Sequence, residues 1–180
     1  MYPGHFAAGL ALKTFKPDTP TWGLMLGVGL LDWLFGMFVA FGIEGGTIGH
    51  LNIPWSHSLL MASVWSVLFA CLFWRSGQGV MALMFCAVMS HWVLGLVSHQ
   101  PDMTLWPHAA AKLGLGAYFG GLAGWCEILI SVGATAWYTR SAELAHQTRS
   151  AAQAQQYGGR LRVVWCLMAM LYGLEYLAVS

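Results

Sequence analysis

The chain has 180 residues, 58% of them hydrophobic and 8% charged, with a net charge of +1. A soluble domain carries roughly 25% charged residues, so this composition excludes an ordinary water-exposed surface and reads as an integral membrane protein. The near-neutral balance and the lack of a basic run exclude nucleic acid as a partner.

The N-terminal stretch Pro3–Phe15 is too short to span a bilayer. It predicts an interfacial or re-entrant helix, stopped by "KPDTP", whose prolines break any continuation. No basic region precedes it, so a cleaved signal peptide is not expected. A spanning helix needs about 20 apolar residues. Five runs meet or approach that length: Trp22–Ile43, Ser58–Trp74, Val80–Ser98, Leu115–Tyr138 and Leu161–Val179. The expected fold is all-α: a polytopic membrane helix bundle of five transmembrane helices plus the short N-terminal helix. Residues 1–180 form one membrane domain, with the short helix and its linker at 1–20 and a cytoplasmic linker at 140–160.

Lys13, Lys16, Arg75, Arg140, Arg149, Arg160 and Arg162 fall on one side of this arrangement and only Lys112 on the other. The positive-inside rule then puts the N-terminus in the cytoplasm and the C-terminus outside. Gly116, Gly120 and Gly124 recur every four residues, which predicts a close-packing helix face in the fourth span. Cys71, Cys86, Cys126 and Cys166 fall one to an apolar run, without a CxxC pair, and read as packing residues.

Ionisable groups inside a span are costly and need a partner or a purpose. Asp32 lies near the middle of the first span, His57 opens the second in "PWSHSLL", and His91 lies two-thirds along the third. His99 ends that span just before Pro101 and Asp102. Ser56 is the expected N-cap of the second span, and Glu44 is expected to reach interfacial water. Glu127 and Glu175 lie in the last two spans, whereas His50, His108 and His146 read as solvated. Imidazoles and a carboxylate from different helices suit a divalent transition metal: zinc, manganese or iron. The same residues also fit a purely structural cluster in which Asp32 hydrogen-bonds to His91 or His57.

The segments "MYPGHFAAGLALK", "LLDWLFGMFVAFGIE", "PWSHSLLMASVW" and "SHWVLGLVSHQPDMTLWP" resemble a family of small bacterial membrane proteins. They are related to the LexA-binding, inner-membrane-associated metal-dependent hydrolases. The resemblance covers roughly residues 1 to 140. Its polar pattern is matched by His5, Asp32, His57, Ser58, His91, His99, Pro101 and Asp102. It implies a bacterial inner-membrane protein, with Asp32, His57 and His91 holding the metal and His99 or Asp102 as the catalytic acid/base. His5 begins on the cytoplasmic side and is not expected to join the cluster unless the N-terminal helix dips into the membrane. The sequence departs from the pattern at Gly95, where the family carries Asp, and at Gln100, where it carries a basic residue.

Three functions remain open. One is a hydrolase acting on a lipid or other amphiphile, with Glu127, Asp102 or water in place of the acid lost at Gly95. The second is a non-catalytic accessory subunit of a larger membrane complex, built on the same scaffold and contacting lipid, pigment or other subunits. The third is a proton or solute carrier; it has the least support, because the sequence contains no internal repeat.

Overall fold

The computed structural model describes residues 3–47, 50–116 and 122–146. Among them are five helices: α1 (Pro3–Lys13), α2 (Thr21–Ala40), α3 (Leu59–Cys71), α4 (Gln78–Ser98) and α5 (Leu122–His146). Two short antiparallel pairs lie in the connections: β1 (Gly45–Thr47) with β2 (His50–Asn52), and β3 (Met103–Thr104) with β4 (Lys112–Leu113). The described chain is mostly helical, and α2 and α4 are long and apolar enough to cross a membrane.

Three of the expected spans need correction or lie elsewhere. The run Ser58–Trp74 yields only the 13 residues of α3. At 1.5 Å per residue that helix is about 20 Å long, against a hydrocarbon core of about 30 Å. It starts one residue into the run, with Ser58 rather than Ser56 as the N-cap, whose Oγ accepts from Met61 N at 3.4 Å, and it ends at Cys71, three residues short of Trp74. The fourth run does not begin its helix at Leu115. Leu115 N donates to Leu96 O and Gly116 N to His99 O, which pins this stretch to the end of α4. Gly116 has φ +63°, a left-handed conformation that glycine adopts readily, so it is not part of the predicted glycine face of a helix. Gly120 and the run Leu161–Val179 lie outside the described residues, as does the linker beyond His146.

Helix α4 packs against α1, α2 and α3, while α5 packs against α1. Leu24 and Val28 of α2 meet Ala70, Phe73, Val80, Met84 and Ala87 in one buried cluster. Leu31 and Leu34 meet Ile53, Ala62, Val88, Trp92 and Met103 in a second. Asp32 and His91 lie on α2 and α4 among the residues of the second cluster. The approach of the helices is close: a Cβ on Gly27 would lie 2.9 Å from Phe69 Cε1 and 3.2 Å from Ala87 Cβ.

The outward faces are apolar. Trp22, Leu26, Trp33 and Met37 of α2 are exposed, as are Leu60, Val64, Val67 and Leu68 of α3. Cys71 and Cys86 also lie on exposed faces as free thiols, rather than in the packed interior. Helix α1 differs from an interfacial helix. It packs against α2, α4 and α5, and His5, Ala7 and Leu10 are all buried. That insertion carries the N-terminal histidine into the bundle.

Candidate metal centre

Three elements bring together the residues singled out as metal ligands. Asp32 projects from α2, His91 from α4, and His57 from the turn leading into α3. Asp32 Oδ1 lies 3.4 Å from His91 Nε2 and 3.5 Å from His57 Nε2. One ligand atom from each of the three lies within 4.8 Å of the others, so the group could hold a metal ion. Ligands bound to tetrahedral zinc at about 2.0–2.1 Å stand roughly 3.3 Å apart, close to the separations found here. Both imidazoles are buried, while the Asp32 side chain is 25% exposed. The accessible side of the group is therefore the carboxylate side.

Each histidine has its other ring nitrogen engaged. His91 Nδ1 is 2.8 Å from Val28 O, and a carbonyl can only accept, so Nδ1 carries a proton and, in the neutral ring, Nε2 holds the lone pair. His57 Nδ1 is 2.8 Å from Ser56 Oγ, which in turn donates to Glu44 Oε2 at 2.6 Å. Trp92 Nε1 donates to His57 O at 2.8 Å and fixes the backbone of the same turn from α4. Burial pushes the His57 imidazole below its ordinary pKa, which favours the neutral ring that metal binding requires.

His5, expected to stand apart, is beside the cluster: its ring centroid is 4.5 Å from that of His91. The packing of α1 against α2, α4 and α5 brings it there. His99, the first expected acid/base, sits at the C-cap of α4 with its ring 5.7 Å from His57. Burial, reinforced by His57 and His91, lowers its pKa to about 4. Asp102, the second, is buried, and its Oδ1 accepts from Leu51 N at 3.1 Å, which ties β2 to the loop after α4.

Glu44 also differs from expectation. It is buried rather than at an aqueous interface, and it accepts from Trp55 N at 2.6 Å and Ser56 N at 2.9 Å. Its place at the end of an apolar run concealed this role. The glycines at 42, 45 and 46 were the available signal, because they allow the chain to double back. Gly95 is buried on α4, and a Cβ there would lie 3.6 Å from both His99 Cδ2 and Met103 Sδ. The position that carries Asp in the resembling family therefore faces His99. His50 and His108 are exposed, as expected, with His108 edge-on to Trp55. The Glu127 side chain, Glu175 and Cys166 lie outside what the structure describes.

No family model, no curated protein and no solved structure matches this chain.

Proposed function

We propose that the protein is a membrane-embedded, zinc-dependent hydrolase acting on an amphiphile that reaches the site from the bilayer. One observation carries this reading: a partly exposed carboxylate and two buried imidazole Nε2 atoms converge at 3.4 and 3.5 Å. With both Nδ1 atoms occupied elsewhere, two lone pairs and an anionic oxygen face one another, an arrangement that a cation relieves. The ligand set also coincides with residues that carry the resemblance to the metal-dependent hydrolases.

A zinc ion held there supplies Lewis-acid polarisation and acidifies water toward neutrality. The chain's own residues provide the rest. Val28 O and Ser56 Oγ orient the two imidazoles. His99, neutral at pH 7, is placed to accept a proton beside the site. Asp102 accepts from Leu51 N and so ties β2 to the loop after α4. The partly exposed side of Asp32 and the apolar surface of Trp33 and Met37 on the same helix favour entry from lipid.

A bacterial inner-membrane location with a cytoplasmic N-terminus fits the placement of the charges. Trp137 Nε1 donates to Thr14 Oγ1, which brings the end of α1, with Lys13 and Lys16, near the part of α5 carrying Arg140. Lys112, by contrast, contacts Leu51 O in the loops beyond the metal centre.

The test is metal content per chain in protein purified gently from membranes, beside Asp32→Asn and His91→Ala. One zinc per chain, lost in both variants and accompanied by metal-dependent hydrolysis within a lipid panel, is expected. No metal in the native protein, with both variants folded, removes the hydrolase reading. A second reading is favoured by Gly95, which removes a carboxylate from beside His99: a scaffold subunit that has kept the cluster and lost the chemistry. Bound zinc without turnover, together with stable co-purifying membrane subunits, is its signature.

A further inference from the structure

We infer that Glu44 and Ser56 form a positioning relay that selects the tautomer of His57, exposing its Nε2 lone pair to the metal position. The inference rests on the metal reading above and extends it to residues outside the ligand set.

The relay begins where α2 ends. Gly42, at φ +68°, reverses the chain, and Ile43 N and Glu44 N both donate back to Phe38 O. This fold-back buries Glu44 against residues 55 and 56 instead of leaving it in water. Its Oε1 accepts from Trp55 N and Ser56 N, and its Oε2 accepts the Ser56 hydroxyl at 2.6 Å. A carboxylate has no proton to give, so the single proton of the Ser56 hydroxyl is committed to Oε2. Ser56 Oγ can then only accept from His57 Nδ1, 2.8 Å away, and the ring proton is fixed on Nδ1. In the neutral ring His57 Nε2 then carries the lone pair; it is buried, 3.5 Å from Asp32 Oδ1. The order is carboxylate, hydroxyl, imidazole, metal position. A carboxylate that only clamped the turn would need the two backbone contacts and no hydroxyl between itself and the ring.

The test uses full-length, metal-free protein in lipid nanodiscs, with isotope-labelled histidine, and reads the His57 tautomer by nuclear magnetic resonance. Zinc affinity is measured in parallel. Native protein should show the proton on Nδ1. In Glu44→Gln the side-chain carbonyl keeps both backbone contacts, while the amide now donates to Ser56 Oγ. The hydroxyl proton must then turn to His57 Nδ1, so the ring proton should move to Nε2. Losses of groups that orient a ligand typically cost about 10–100-fold in metal affinity, and zinc affinity should fall by that factor. Ser56→Ala should lower affinity comparably while leaving the grip of Glu44 on the backbone intact.

Native protein with its proton already on Nε2 overturns the inference. So does an unchanged tautomer with undiminished affinity in both variants, even if native protein binds zinc tightly; in that case the metal reading stands and the relay alone fails. Conversely, a tautomer inverted by Glu44→Gln in a protein without zinc affinity upholds the relay and removes the metal reading.

Discussion

His91 Nδ1 lies 2.8 Å from the carbonyl oxygen of Val28, one helical turn before Asp32 on α2. Residues four apart lie on the same face of a helix, so α2 presents both the carboxylate and the carbonyl that orients an imidazole toward it. Orientation and ligation by His91 can therefore be separated. In His91→Asn the side-chain amide can still donate to Val28 O, but nothing replaces Nε2. We expect a folded protein with unchanged helicity by circular dichroism and no bound metal. Retention of one metal per chain would remove His91 from the ligand set.

The close packing of α2 gives a stability prediction that is independent of metal. A Cβ on Gly27 meets Phe69 and Ala87 at 2.9 and 3.2 Å, whereas one on Gly36 meets nothing within 4 Å. Overpacking typically costs about 1–3 kcal/mol. Gly27→Ala should lower unfolding free energy in mixed micelles by about that amount. Gly36→Ala should be neutral or stabilising, since Ala is favoured over Gly in helices by about 1 kcal/mol. Equal effects at the two positions would contradict the packing described here.

His99 and Asp102 separate in the same way, although the sequence pairs them as candidates for one role. His99→Ala should leave metal content intact and reduce turnover by about 10²–10⁴-fold, the usual contribution of a general acid or base. A simultaneous loss of metal would make His99 a ligand instead.

Asp102 is expected to behave as a clamp. Asp102→Asn keeps an oxygen for Leu51 N and should retain both metal and turnover. Asp102→Ala leaves that amide without its acceptor, at a cost of about 1–3 kcal/mol if it stays buried. Faster hydrogen exchange at the Leu51 amide in the alanine variant, with native exchange in the asparagine variant, is the expected pattern. A large loss of turnover in Asp102→Asn alone would return Asp102 to the chemistry.

Metal should also stabilise the fold, because its ligands come from separate elements and converge only in the folded chain. At 100 times the dissociation constant a single site contributes about 2.7 kcal/mol. Zinc should raise the midpoint of thermal unfolding in detergent, and a chelator should reverse the shift. Asp32→Asn should show neither effect.

Residue type and hydropathy along the chain suffice to mark the residues too polar for their surroundings. An aspartate within an apolar run, a histidine after Pro54 and another inside a long hydrophobic segment are costly unless they meet, and Asp32, His57 and His91 do meet. Hydropathy likewise located α2 and α4, because length and composition are local properties. It overextends α3, which ends at Cys71 rather than Trp74, and it draws Gly116 into a helix although its backbone is left-handed.

How the remaining polar groups face the site depends on packing between distant elements. Charge-based sidedness, a rule about loops, sets His5 apart from the cluster, whereas the packing of α1 against α2, α4 and α5 brings it beside His91. Glu44 looked like the polar end of a helix until the turn at Gly42 carried it back to Ser56. Burial and spacing along a chain report the cost of a polar group, but its partner lies on another element, and only packing brings the two within hydrogen-bonding distance.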